Sequence, residues 1–161
     1  MVVLGIDPGG SSTGFALLRS DRGSIDYIRS GAIRQSRNSS FAERLLAIHA
    51  GVAAILADGL VDEVAVEDVY QGVNPRTASR IGHVRGVVIL AAAEAGVPVA
   101  EYPPNEVKSA VVGNGLASKD QVRFMVQRIL SIGSRASTFD ESDALAVAIC
   151  HCHRSGTAAA R

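Results

Sequence analysis

The chain has 161 residues and a mass of 16.7 kDa, which is the size of one domain able to bury a hydrophobic core. Its 16 basic and 16 acidic residues cancel, so a uniformly basic nucleic-acid coat protein is excluded, and any phosphate contact must come from local clusters of charge. No apolar run approaches the ~18 residues of a membrane span. The first residues lack the basic start of a signal peptide.

The pattern of apolar runs and turn residues predicts a β-β-β-α-β-α-β-α-α-α order. The first apolar run ends in Asp7-Pro8-Gly9-Gly10, which is typical of a buried strand followed by a turn. Hairpin-linked strands followed by strands that alternate with helices indicate an α/β protein with a mixed sheet. Predicted strands cover 2–6, 14–19, 25–34, 64–66 and 98–102; predicted helices cover 41–60, 75–95, 106–112, 119–130 and 139–152, and 154–161 is expected to fray.

The cysteines lie two positions apart near the end of the last predicted helix. Cys150 and Cys152 would point to different sides of that helix and cannot pair, which fits a reducing cytoplasm. The stretch His151-Cys152-His153 resembles a metal tract, but ligands at this spacing do not converge on a helix and no second ligand cluster accompanies them. We therefore interpret it as an ordinary helix end.

Four acidic residues occupy positions where the predicted fold could bring them together. Asp7 directly follows the first strand and Glu67 the fourth, and strand ends hold side chains rigidly at the edge of a sheet. Asp140 and Asp143 are three positions apart at the start of the last helix and share one face, and residues 138–141 match a capping box. Each acid taken alone is also explained by a turn, a solvated surface or the helix dipole.

Taken together, the acids favour a metal site. An apolar run follows Asp143, so the last helix must be buried and the acids at its start must face a neighbouring element. Clustered carboxylates repel one another unless cations neutralise them, and no compensating lysine is expected beside these four. Oxygen-only ligands suit Mg²⁺ or Mn²⁺, and two such ions ~3.5–4 Å apart support phosphodiester cleavage.

Three acidic motifs resemble those of the RuvC family of Holliday-junction resolvases. They are Gly5-Ile6-Asp7-Pro8-Gly9 with Thr13-Gly14, then Val66-Glu67-Asp68-Val69-Tyr70, then Asp140-Glu141-Ser142-Asp143-Ala144-Leu145-Ala146. Shorter matches lie at 78–86, 107–113, 119–122 and 148–153. The similarity is collinear over residues 1–153, and the order and spacing of the motifs are more specific than any one of them.

The resemblance implies a ribonuclease-H-like domain over residues 1–153, with three antiparallel and then two parallel strands in a five-stranded mixed sheet flanked by helices. It also implies a homodimer that nicks four-way DNA junctions in pairs during recombination and repair, with two Mg²⁺ ions per site that Mn²⁺ can replace. The branch-migration proteins RuvA and RuvB are implied partners. The implied metal ligands and catalytic acids are Asp7, Glu67, Asp140 and Asp143; Tyr70 stands where the family often has an aromatic residue that meets unstacked bases.

The hypothesis that follows is hydrolysis with two metal ions. Asp7 would bridge the ions, Glu67 would complete one coordination sphere, and Asp140 with Asp143 would complete the other. Water would attack the scissile phosphate in line and leave a 5′-phosphate and a 3′-hydroxyl. The reaction needs no covalent enzyme intermediate.

Positive charge is concentrated in the middle of the chain, where the DNA would lie. Residues 71–138 hold eight basic against four acidic residues, a net charge of +4. Arg76, Arg80 and His83 fall on one stripe of the long helix, which is either a solvated face or a phosphate-binding surface. Lys108 and Lys119 lie at or near the starts of two shorter helices, and the resemblance makes them candidate phosphate contacts.

The second half of the same helix predicts a subunit interface. Residues 87–95 are apolar nearly all round, so one face would pack on the sheet and the other needs a partner. A two-fold dimer would place two active sites on a pseudo-symmetric junction.

Three alternatives stay open from the sequence. The first motif also resembles the phosphate loop of sugar kinases and actin-like ATPases, although that class needs two such domains. The acids could instead be structural in a non-catalytic junction-binding module. The chain could also be another ribonuclease-H-like nuclease that acts on RNA.

Overall fold

The computed structural model describes residues 1–9, 11–36, 38–69, 74–133 and 138–159, with side chains up to residue 156. Tyr70, predicted to contact bases, lies outside the described residues. The predicted order of elements is confirmed. The elements are β1 (Val2–Asp7), β2 (Ser12–Asp21), β3 (Ser24–Arg34), α1 (Phe41–Leu56), β4 (Glu63–Glu67), α2 (Pro75–Glu94), β5 (Val99–Tyr102), α3 (Pro104–Val112), α4 (Lys119–Ile129) and α5 (Phe139–Ala159).

The five strands form one mixed sheet in the order β3-β2-β1-β4-β5. Strands β1, β2 and β3 pair antiparallel, whereas β4 runs parallel to β1 and β5 runs parallel to β4. This confirms the predicted arrangement of three antiparallel and two parallel strands. Because β1 and β4 are parallel neighbours and Ile6 pairs with Val66, both strands end at the same edge of the sheet.

Helices cover both faces of the sheet and bury two apolar layers. Helices α3, α4 and α5 pack on one face, and α1 and α2 pack on the other. Helix α5 approaches β1 closely at Gly5, where a β-carbon would lie 2.4 Å from the carbonyl oxygen of Ala144. The glycine therefore lets the most buried helix lie directly on the central strand.

Several element boundaries differ from the predicted ones. Helix α1 ends at Leu56, because Gly59 adopts a positive φ of 65° and its amide bonds to the Leu56 carbonyl. Helix α3 already begins at Pro104, since proline is tolerated in the first turn of a helix.

Helix α5 runs on to Ala159, so the stretch predicted as a helix end lies inside it. His151 is buried there: its Nδ1 bonds to the Tyr102 hydroxyl at 2.9 Å, and its Nε2 lies 3.0 Å from a carboxylate oxygen of Glu63. Cys150 and Cys152 are buried free thiols, as predicted. Within the described ranges, no helix has the length and apolar character needed to cross a membrane.

Candidate active site

Two acidic side chains stand at the shared end of the central strands. Asp7 is the last residue of β1, and Glu67 is the last residue of the neighbouring parallel strand β4. Both are partly buried, and their carboxyl groups are hydrogen-bonded to each other. The parallel register of β1 and β4 thus brings together two acids that are 60 residues apart in the chain.

The start of α5 brings two more acids to the same place. Asp7 pairs with Gly14 of β2, and a β-carbon at Gly14 would lie 2.1 Å from the carbonyl oxygen of Asp140. Only a residue without a side chain allows this approach. The predicted capping box is present, with reciprocal hydrogen bonds between Thr138 and Glu141. Asp140 and Asp143 are therefore held beside the strand end, and the charges of both raise the pKa of Asp7.

The acids perturb one another strongly. Burial, together with the charges of Asp143 and Asp140, raises the pKa of Asp7 from 3.8 to about 6. Burial and the charge of Asp7 raise the pKa of Glu67 from 4.5 to about 8. At neutral pH Glu67 therefore carries a proton, which it donates to the Asp7 carboxylate. A positive charge placed beside this pair would therefore stabilise its ionised form.

A lysine from the neighbouring helix supplies part of that charge. The Lys119 ammonium, at the start of α4, lies 2.5 Å from a carboxylate oxygen of Asp143. Burial lowers the pKa of Lys119, but its hydrogen bond to Asp143 and that group's charge outweigh burial, so the net shift is upward. The expectation that no lysine compensates the acids was therefore wrong. It failed because the contact depends on how α4 packs against α5, two helices whose contact residues are 24 positions apart.

The four acidic side chains are of the type that binds divalent cations, although they are not arranged around a common point as metal ligands would be. Among the residues that the structure describes, no group of three or more His, Cys, Asp or Glu side chains stands ready to hold a metal ion. Three of the acids are engaged within the protein instead: Asp7 and Glu67 are hydrogen-bonded to each other, and Asp143 forms an ion pair with Lys119. Carboxylate oxygens with excess negative charge are the ligands that Mg²⁺ and Mn²⁺ prefer. The residues therefore fit such an ion by composition and charge.

A cavity of about 260 Å³ opens beside the acids. Its charged lining residues are Glu67, Asp143, Lys108 and Lys119. The remaining wall comes from the apolar faces of α3, α4 and α5, including Val107 and Val122. Cations next to carboxylates in a half-apolar cleft can hold an anionic group close to the acids.

The predicted basic stripe on α2 lies on the other side of the sheet. Arg76, Arg80 and His83 are all exposed. The Arg80 guanidinium lies 5.7 Å from the ring centre of Phe41, and the His83 ring meets the same phenyl ring edge-on at 5.7 Å. These three side chains form a surface of their own and do not join the acidic cluster.

Arg85 lies on the same helix but contacts a different surface. It pairs with Asp68 at 3.4 Å and with Glu101 of β5. No local sequence pattern predicts this pairing, because the contact depends on the packing of α2 beside β5. Asp68 follows Glu67 directly but is engaged by Arg85 and by its own loop, where it accepts a hydrogen bond from the Val69 amide at 2.7 Å.

Fold and site together define a class: a ribonuclease-H-like domain with carboxylates gathered at the ends of its central strands. Comparison with known proteins agrees. The sequence profile described as "Crossover junction endodeoxyribonuclease RuvC" matches residues 3–151. Proteins of that name from Paramagnetospirillum magneticum and Syntrophomonas wolfei are 43% and 45% identical, over 98% and 95% of this chain and 94% and 89% of their own lengths.

Solved structures give the same answer. Thermus thermophilus RuvC superimposes with a TM-score of 0.88 at 33% identity, covering 98% of this chain and 97% of that one. The same protein in complex with a Holliday junction substrate gives a TM-score of 0.90 at 34% identity, covering 98% and 96%. The chain belongs to the RuvC family.

Proposed function

We propose that this chain is a structure-selective endonuclease that resolves four-way DNA junctions by paired nicks in recombination and repair. The observation that carries the proposal is the convergence of Asp7, Glu67, Asp140 and Asp143 at one edge of the sheet, with Lys119 beside them. Family membership and the junction-bound structure of the Thermus relative support four-way DNA as the substrate.

The four acids would hold Mg²⁺, with Mn²⁺ as a substitute. When bound, such ions activate water and stabilise the charge that develops on the phosphate. The raised pKa values of Asp7 and Glu67 mean that loading the site releases a proton, since both carboxyl groups must then be ionised. Lys119 contacts only one carboxylate oxygen of Asp143, so the other oxygen can act as a ligand while the ion pair holds the side chain in place.

The remaining residues of the cleft position the DNA. Lys119, which has two N–H donors beyond the one that meets Asp143, and Lys108 would each donate to phosphate oxygens next to the scissile bond. The apolar wall formed by Val107 and Val122 limits the access of bulk water to the acids. The exposed Arg76 and Arg80 would contact phosphates further along the duplex arms.

The proposed enzyme is a homodimer. A groove of about 440 Å³ between α1 and α2 is lined by apolar side chains that include Leu45, Val87 and Leu90. Leu90 is 51% exposed. Gly82 and Gly86 lie one turn apart on the same face, and a β-carbon at either would meet no atom within 4 Å, so a second helix has room to approach closely. The buried free thiols support a cytoplasmic location, and association with RuvA and RuvB is a prediction that rests on family membership alone.

The test separates cleavage from binding. Asp7→Asn keeps the size of the side chain and removes its charge, so we expect cleavage of a synthetic four-way junction with Mg²⁺ to fall by about 1,000-fold, the effect of losing several kcal/mol of metal-assisted catalysis. Junction binding in a gel-shift assay should be retained. Asp26→Asn, which changes an exposed carboxyl group on β3, serves as the matched control and should cleave normally.

The same experiment distinguishes the alternatives. Undiminished cleavage by Asp7→Asn would refute the assigned site. Binding without cleavage by the unchanged protein, at any Mg²⁺ or Mn²⁺ concentration, would indicate a junction-binding module. Preferential cleavage of an RNA–DNA hybrid would identify a ribonuclease.

A further inference from the structure

A second cavity adjoins the candidate active site. It has a volume of about 640 Å³, and its walls include Val69, Pro103, Pro104 and Leu116. Pro104 and Lys108 line both this cavity and the one that contains Glu67 and Asp143, so the two cavities are neighbours. The volume is in the range of ~300–1,000 Å³ that small-molecule sites occupy.

One lining residue of this cavity, Leu116, is an unusually exposed apolar side chain. Its side chain is 92% exposed, the highest value among the large apolar side chains of the described residues. A single exposed leucine is ordinary on a protein surface, but the main chain that carries this one is held in place. Its amide bonds to the Asn114 side chain at 3.0 Å, and the adjacent Gly115 packs so closely on α3 that a β-carbon would lie 3.0 Å from the Asn105 carbonyl oxygen.

The charges around the cavity favour a nucleotide over a peptide or a lipid. Lys108 lines both cavities. It can therefore hold a phosphate at the smaller cavity while the attached nucleoside reaches into the larger one. Asp68 also lines the larger cavity, but its carboxylate pairs with Arg85 at 3.4 Å, and this guanidinium, which Glu101 shares, reduces the repulsion between that wall and a phosphate. Proline, valine and leucine offer apolar surface for the face of a base, and the Asn105 amide can pair with a base edge.

We propose that this cavity is a subsite for the base of the nucleotide next to the scissile phosphate, with Leu116 as its outer wall. This inference rests on the proposed junction-cleaving function. It assigns Leu116 a positioning role: by covering an unstacked base, the side chain holds the adjacent phosphate against the acids. Apolar contact with the face of a base tolerates any sequence, whereas a contact from Asn105 would bias the choice of nucleotide.

The test combines a protein change with a substrate change. Leu116→Ala and the matched control Leu60→Ala, which truncates a leucine 64% exposed in the loop after α1, are assayed on two four-way junctions. One junction is intact, and the other carries an abasic nucleotide beside the cleaved bond. We expect Leu116→Ala to slow single-turnover cleavage of the intact junction about tenfold, as for the loss of one base contact, and Leu60→Ala to match the unchanged protein.

The abasic junction gives the decisive comparison. The unchanged protein should cleave it about tenfold more slowly than the intact one, and Leu116→Ala should add no further loss, because the base that Leu116 covers is already absent. The inference would be overturned if the losses caused by Leu116→Ala and by the abasic nucleotide multiplied when combined. Normal cleavage of the intact junction by Leu116→Ala would also overturn it. If the unchanged protein cleaves no four-way junction, the proposed function itself fails and the subsite falls with it.

A binding measurement checks the inference without catalysis. In the Asp7→Asn background, 2-aminopurine placed beside the scissile phosphate should change its fluorescence when the junction binds. Adding Leu116→Ala should abolish that change, and adding Leu60→Ala should not. An unchanged signal with Leu116→Ala would contradict a base in this cavity and leave the cavity to a protein partner.

Discussion

The proton shared by Asp7 and Glu67 is the feature of the site with the clearest consequence for stability. Glu67 keeps its proton up to about pH 8 in the folded protein, whereas an unfolded chain releases it near pH 4.5. Between these values the folded state binds more protons than the unfolded state. The free energy of unfolding of the metal-free protein therefore falls as the pH rises through this window.

Replacing Glu67 with glutamine should remove most of that fall. The amide is neutral at every pH, so Glu67→Gln is expected to stabilise the metal-free protein at pH 8 by roughly 1–2 kcal/mol, after allowance for partial exposure, and to leave its stability at pH 4.5 nearly unchanged. Thermal unfolding in EDTA across this range measures the effect.

Asp26→Asn provides the baseline for that experiment, because it removes an exposed carboxyl group far from the cluster. Its stability should follow the pH dependence of the unchanged protein. Equal stability of Glu67→Gln and the unchanged protein at pH 8 would mean that the carboxyl pair is not strained when metal-free.

At the scale of elements, the contact between β2 and the start of α5 positions half of the acidic cluster. A β-carbon at Gly14 would lie 2.1 Å from the Asp140 carbonyl oxygen, a separation that no relaxed structure tolerates. Gly14→Ala should push the first turn of α5 away from β1. We expect a loss of about 1–3 kcal/mol of stability from overpacking and a loss of cleavage larger than the loss of folded protein explains. Cleavage is measured under conditions where circular dichroism shows the variant folded.

A glycine within α5, the helix that Gly14 of β2 contacts, gives the matched control. Gly156 lies in the same helix, and a β-carbon there would meet nothing within 4 Å. Gly156→Ala should leave cleavage unchanged and stability equal or slightly higher, since alanine favours helix. Normal cleavage by Gly14→Ala would show that the position of Asp140 does not depend on this contact.

The elements themselves were largely predictable from the sequence, because their signals are local. Turn residues end each strand, and the apolar run after Asp143 requires a buried helix. Strand–helix alternation predicts a mixed sheet but does not choose the neighbour of β1, so the expected arrangement of parallel strands, which brings Asp7 and Glu67 together, rested on the family resemblance. The Lys119–Asp143 pair was not predictable, since no local pattern reports how α4 packs on α5. The cavity walled by Leu116 was missed for the same reason.

At the scale of the whole molecule, the sheet separates two surfaces with different tasks. The acids at the ends of β1 and β4 and at the start of α5 lie beside cavities lined by α3, α4 and α5, whereas α1 and α2 present the apolar groove on the opposite face. A dimer formed through that groove would leave both acidic sites open to DNA. The exposed Arg76 and Arg80, earlier on α2, would then lie beside the interface and face the arms of the junction.

A charge placed in the groove tests this arrangement. Leu90 is 51% exposed in the free chain, and burying a carboxylate there on association would cost several kcal/mol. At micromolar concentration we expect the unchanged protein to sediment as a dimer and Leu90→Glu to sediment at the monomer mass of 16.7 kDa. Because each site is built within one chain, the variant should still nick, but its two nicks in a cruciform plasmid should become uncoupled and yield nicked circles in place of linear product.

Leu60→Glu separates the effect of the interface from that of an added charge. Leu60 is 64% exposed and lies outside the groove, so this variant should remain dimeric and produce linear plasmid. A Leu90→Glu protein that stays dimeric would place the interface elsewhere. A monomeric variant that still cuts both strands within one binding event would show that pairing of the nicks does not depend on the dimer. In that case a single chain would reach both scissile phosphates before the junction dissociates.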